Sequence, residues 1–180
     1  MILQISLLAA ILVSTQAAPP EFKPSVNPVA DAARQSLAQQ SKHLIDSAEL
    51  MPADKYGYHP TEAQMTFGKL VVHIVQTNVA ICSAIGNSTP ATDVFKMAGT
   101  EPKEAVVGAI KQSFTACTDA LAKVTDAQLG EEVSMMGRRT GQSRAAAMIT
   151  IANDWADHYS TAASYLRLNG ILPPSAQPKK

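Results

Sequence analysis

Proline and glycine cut this 180-residue chain into four long stretches, and within each the apolar residues recur at helical spacing. The first helix is predicted over residues 29–50, where Val29, Ala32, Ala33, Leu37, Leu44, Ile45 and Ala48 keep an approximate 3.6-residue rhythm. Pro52, Gly57 and Pro60 break the chain after it. The second is predicted over residues 62–85, opened by a capping box at Thr61 and Gln64 and closed by Gly86 and Asn87. The third covers residues 103–124, with Pro102 at its first turn and Gly108 placed for a close helix approach. The fourth covers residues 142–168 and stops at Asn169-Gly170, with Pro173-Pro174 beyond. No segment alternates with the period of a strand. Four such helices can bury their apolar stripes only against one another, so the expected fold class is all-α, a four-helix bundle. Residues 86–102 form a long connection for antiparallel neighbours, which are usually joined by about 2–8 residues. A crossover between parallel helices 2 and 3 accounts for it and gives an up-down-down-up course.

The chain ends read differently from this middle. Residues 2–13 are apolar apart from Gln4 and Ser6, and small residues suited to cleavage precede Pro19-Pro20. The run is shorter than the roughly 20 residues a membrane span needs. The expected organisation is a signal peptide over 1–18, an extended lead-in over 19–28, the bundle over 29–172 and a disordered tail over 173–180. No other segment is expected to span a bilayer. The protein is therefore read as exported, periplasmic or secreted, with no membrane contact after cleavage. Export opens two readings of Cys82 and Cys117, which fall on different helices: a disulfide, or two buried thiols. The formal net charge is zero and no basic run is present, which argues against a nucleic-acid partner. Helices 1 and 4 could offer a homodimer face.

The chemistry concentrates in Asn153-Asp154-Trp155-Ala156-Asp157-His158-Tyr159. Asp154 and His158 are four apart, so both project from one face of helix 4, a turn apart. His73 is the other histidine embedded in a comparable apolar helical run, residues 67–75. Two imidazoles and a carboxylate converging from rigid helices would give a three-ligand site with open positions, the pattern of a catalytic rather than a structural centre. Such donors suit a divalent metal, zinc, nickel, iron or manganese. The bland alternative is a hydrogen-bonded core histidine and a local Asp154–His158 pair. Thr77 shares the His73 face with Leu70, Ala80 and Ala84, whereas Cys82 lies about half a turn around the helix. His59 could border the mouth of the site, and Arg138 and Arg139, with Arg144 beyond, could bind an anion near the start of helix 4. His43 is expected to be exposed beside Lys42, and Trp155 to be core. No Ser-His-Asp order, phosphate loop or HExxH motif occurs.

Two segments carry a family resemblance. Residues 51–61 followed by 67–74 resemble the opening of the DinB-like (DNA-damage-inducible) helical bundle family. Asp157-His158-Tyr159 and residues 165–174 are similar to its closing segment. The resemblance implies an up-down-down-up bundle and a divalent metal held by three histidines, one on helix 2 and two spaced by four on helix 4. His73 and His158 match; Asp154 departs, giving a His-Asp-His set. It also implies thiol-dependent transferases or metal-dependent hydrolases acting on small molecules, without choosing between them. The expected function is thus an exported metal-binding bundle with transferase or hydrolase chemistry. The competing reading is a non-catalytic exported binding or stress protein that has lost the metal.

Overall fold

The computed structural model describes residues 23–178 apart from Met136; the predicted signal peptide lies outside them. Four long helices dominate: α1 (Pro28–Leu50), α2 (Phe67–Gly86), α3 (Lys103–Ala122) and α4 (Arg144–Leu168). Each boundary has a local cause. Pro28 pre-sets the first turn of α1, and the chain turns extended at Met51 before Pro52. Asn87 ends α2 in the left-handed conformation. The Ser143 hydroxyl accepts from the Ala146 N–H and opens α4.

Helix 2 starts later than the sequence predicts. Thr61 and Gln64 form a turn of their own, with Gln64 N–H donating to the Thr61 carbonyl at 3.0 Å. Thr66 caps the helix instead, accepting from Lys69 N–H. The leading N–H groups of Phe67 and Gly68 donate to the carbonyls of Tyr58 and Tyr56, so the connecting loop satisfies them.

Cross-helix pairs establish the course. Asn78 meets Ser113 and Cys82 bonds Cys117, so positions on α2 and α3 advance together and the two run parallel. Arg34 reaches the carbonyl of Leu121, while Glu49 pairs with Lys111, so α1 opposes α3. Asn78 meets Trp155 and Ile85 meets Arg144, so α4 opposes α2. The result is the up-down-down-up bundle. The N-terminus of α1 is capped from across the molecule: the Asp126 carboxylate accepts from Val29 and Ala30 N–H at 3.0 and 2.9 Å.

The crossover folds back onto the start of α2. A methyl group on Gly68 would lie 2.2 Å from the Gly99 carbonyl oxygen, and Gly99 itself has φ +80°. Only glycine suits either place. Gly108, by contrast, faces open space, and the tight approach of α2 to α3 occurs at Gly86, beside Ala120. Phe67, Leu70, Ile74, Ile85, Ile110, Leu121, Ile151 and Trp155 are among the large side chains filling the core. Helix α2 supplies most of its own length to that core. Among the described helices it alone is long and apolar enough to cross a membrane, where the sequence reading expects no spanning segment beyond the N-terminal run, but most of it is buried inside the bundle.

Two further features depart from the sequence reading, and a third decides between alternatives that it leaves open. The polar loop before α4 contains an antiparallel hairpin, β1 (Glu132–Met135) and β2 (Arg138–Ser143), turning at Gly137 with φ +75°. Buried Val133 anchors it. The tail is ordered through Gln177: Pro174–Ala176 form one helical turn, and the Ser175 N–H donates to Tyr159 Oη at 2.8 Å. Cys82 and Cys117 form a disulfide with Cα atoms 5.0 Å apart, which settles the choice the sequence leaves open.

Candidate metal centre

Asn78 fixes how α2 and α4 face each other. It is fully buried, so its amide must find partners. Its Oδ1 accepts from the Trp155 indole N–H at 2.6 Å, and its Nδ2 donates to Ser113 Oγ at 3.0 Å. Ser113 in turn donates to the Ile110 carbonyl. Trp155, also buried, packs against Phe114, the rings tilted by 48° with centroids 5.8 Å apart. With Trp155 turned into the core, its neighbour Asp154 and the residue four on, His158, turn toward α2. Five residues before Asn78 stands His73.

The structure brings these three side chains together. One donor atom from each of His73, Asp154 and His158 lies within 4.8 Å of the other two. The His73 and His158 rings have centroids 4.9 Å apart at 56°. His158 Nε2 lies 3.5 Å from Asp154 Oδ1, and the two side chains are 12% and 22% exposed. Two donors each about 2.1 Å from one tetrahedral ion would stand about 3.4 Å apart, so this pair already has the needed spacing. His158 Nε2 and Asp154 Oδ2 are both buried without a hydrogen-bond partner. An orphaned carboxylate oxygen and an orphaned ring nitrogen, on two members of one three-donor cluster, fit a site completed by a cation. Burial lifts the Asp154 carboxyl above its usual range; the nearby His158 and His73 rings pull it back down, and Asp157 adds to the rise. A cation at the cluster would reverse that burden.

The predicted rim is dispersed. Thr77 is one turn from His73 on α2, its hydroxyl donating to the His73 carbonyl at 3.0 Å. His59 is exposed, and its Nδ1 lies 2.7 Å from the Thr61 carbonyl of its own loop. Arg138 and Arg139 sit on the hairpin, whose Ser134 and Gly137 share a cavity with Ser83, Ala84 and Asn87. That end of α2 is roughly 15 Å along the helix from His73, at 1.5 Å per residue. Arg139 pairs with Glu132 rather than lying free. Arg144 is buried and engaged, pairing with Glu131 at 2.7 Å and donating to the Ile85 carbonyl, so it closes the end of α2 instead of holding an anion. His43 is not exposed as expected: its ring stacks on Tyr159 with centroids 4.4 Å apart, and burial lowers its pKa.

Sequence reasoning also passed over Asn78, whose signal was an amide in the middle of an apolar helix. It passed over Asp157 too, whose Oδ2 lies 3.4 Å from His158 Nδ1.

Helix order, parallel crossover and a donor cluster on helices 2 and 4 define a class of four-helix bundle with a side-chain site between facing helices. Residues 36–162 match the DinB superfamily, and the chain belongs to that family. Solved structures agree on the fold. A DinB-like protein from Bacillus cereus matches with a TM-score of 0.65 and 18% identity, covering 80% of this chain and 95% of that one. A DinB-like protein from Bacillus subtilis matches with a TM-score of 0.63 and 21% identity, covering 82% and 99%. A mycothiol-dependent maleylpyruvate isomerase matches with a TM-score of 0.59 and 14% identity, covering 73% of this chain and 59% of the isomerase. No curated protein matches the chain in sequence.

Proposed function

We propose that this chain is an exported DinB-like bundle that binds a divalent metal through His73, Asp154 and His158. The observation that carries the reading is the pair of buried, unpartnered donor atoms, Asp154 Oδ2 and His158 Nε2, within a three-donor cluster. Zinc, nickel, iron and manganese all suit two imidazoles and one carboxylate. A divalent ion held there supplies Lewis acidity, making water or a low-molecular-weight thiol nucleophilic near neutral pH. The chain's own contribution is to hold the donors on rigid helices and keep bulk water from most of the site. A small-molecule substrate in a metal-dependent transfer or hydrolysis fits that arrangement. The thiol dependence of the isomerase neighbour supports the transferase branch, and export, which changes the thiols available, supports the hydrolase branch.

Export itself is supported by the apolar N-terminus and by the Cys82–Cys117 bridge, a bond that persists in oxidising compartments. One observation favours a second reading, a non-catalytic binding or stress protein without metal. Asp154 and His158 stand 3.5 Å apart, and burial raises the Asp154 pKa, so a shared proton would relieve both.

The test is metal analysis of protein purified without a histidine tag, then reloaded with each candidate ion. The reading expects stoichiometric metal that disappears in His73→Ala and in His158→Ala while helical content is kept. No retained metal under any loading condition would leave only the second reading.

A further inference from the structure

Asp157 is absent from the metal-binding reading on which this inference rests. Its carboxylate is 80% exposed, yet its Oδ2 lies 3.4 Å from His158 Nδ1. The other ring nitrogen, Nε2, faces Asp154 Oδ1 at 3.5 Å and is buried without a hydrogen-bond partner. A neutral imidazole carries its proton on one nitrogen only. With the proton on Nε2, the Nδ1 lone pair would face a carboxylate oxygen and the cluster would lose its second nitrogen donor. With the proton on Nδ1, the N–H has the Asp157 carboxylate within reach, and the Nε2 lone pair faces Asp154 Oδ1, two donors that one shared cation would satisfy. The Asp157 carboxylate is mostly exposed, so little packing opposes the small rotation that would shorten the 3.4 Å contact. Ligating imidazoles characteristically have their orientation set through the second nitrogen in this way.

We infer that Asp157 is a positioning residue that selects the Nδ1–H tautomer of His158, so that Nε2 serves with Asp154 and His73 as a ligand. It touches neither the cluster's centre nor any reacting atom; it acts through the His158 ring. Partners of this kind typically change metal affinity by about 10- to 100-fold.

Two measurements test this. Two-bond proton–nitrogen NMR correlations on the metal-free protein, at a pH where histidine is neutral, report the tautomer of His158. Zinc titration against a chromophoric chelator reports affinity. Wild type should show Nδ1–H. Asp157→Ala should move the ring toward Nε2–H and weaken zinc binding by roughly 10-fold or more. Asp157→Asn keeps an acceptor oxygen and should retain most of the tautomer and lose less affinity. Melting temperature should stay put in both variants, since Asp157 is exposed, which separates positioning from a structural role. An Nε2–H ring in wild type, or zinc binding undiminished in Asp157→Ala, overturns the assignment. If wild type binds no zinc, the metal reading fails, and the tautomer result alone then upholds or overturns the role of Asp157.

Discussion

Two polar clusters meet between α2 and α4, five residues apart along α2: a buried one that reaches on to α3 and a half-buried one. Around Asn78, the amide oxygen accepts from Trp155, the amide nitrogen donates to Ser113, and Ser113 donates onward to Ile110. Around His73, the Asp154 Oδ2 and His158 Nε2 atoms have no such partner. A buried polar atom left unsatisfied costs about 1–3 kcal/mol. The chain completes the first cluster with its own groups and leaves the second incomplete. The contrast separates a fixture that sets helix orientation from a pair of unpartnered donor atoms where the proposed cation would sit.

The contrast can be broken from the structural side first. Replacing both Cys82 and Cys117 by Ser removes a cross-link with 35 residues of sequence separation. Chain-entropy reasoning expects a loss of roughly 4 kcal/mol, read by denaturant unfolding of oxidised wild type against the variant. Donor convergence on the α2–α4 seam should survive, so zinc affinity in folded variant should change little. Asn78→Ala comes next. It strands the Trp155 indole N–H and removes the donor to Ser113 Oγ, and should cost about 1–3 kcal/mol. Because Trp155 orients α4, the same variant should also weaken metal binding, which the disulfide variant should not. Equal effects of the two on affinity would erase the distinction drawn between these contacts.

The smallest effect should have the opposite sign. Burial raises the Asp154 pKa in the folded protein above its unfolded value. A carboxyl shifted this way favours folding while protonated, below the unfolded pKa, and that benefit is lost as pH rises through the folded value. At neutral pH the ionised group therefore weighs against the metal-free fold. Asp154→Asn should melt slightly higher than wild type near neutral pH in the presence of a chelator. The gap should close on acidification into the ordinary carboxylate range, at about pH 4. A gap that stays constant across that range would mean the charge on Asp154 is not what strains the seam.

Much of this was legible in the residues. The 3.6-residue rhythm located four helices, the long proline-bearing connection indicated the crossover, and the spacing of Asp154 and His158 placed them on one face. The family signal came from residues 51–74 and 157–174, which include two of the three donors. Other features depended on tertiary partners that no local pattern displays. The hairpin strands Glu132–Met135 and Arg138–Ser143 are short and mostly polar, with Val133 the one residue among the described side chains of the pair that is buried, so period-2 alternation never develops. His43 sits beside charged Lys42 in sequence, but the Tyr159 ring covers it. The disulfide required knowing that α2 and α3 run parallel from one level. Cys82 lies fifteen residues past Phe67 and Cys117 fourteen past Lys103, which then sets them side by side.

The parallel course of α2 and α3 also gives the bundle a polarity. Two macrodipoles stand side by side with their positive ends together, where Thr66 and Pro102 open the helices, and their negative ends together near Gly86 and Ala122. Like poles repel unless compensated by charge. At the first pole stand Glu104 in the opening turn of α3 and Glu101, which accepts from Ala98 and Gly99 N–H, beside Lys69 and Lys103 in the opening turns of the two helices. Guanidinium groups gather at the second, Arg144 on the Ile85 carbonyl and Arg34 on that of Leu121. The crossover thus brings two sets of helix-end carbonyls to one end of the bundle, and Arg34 and Arg144, from the two helices that run the other way, cap them there.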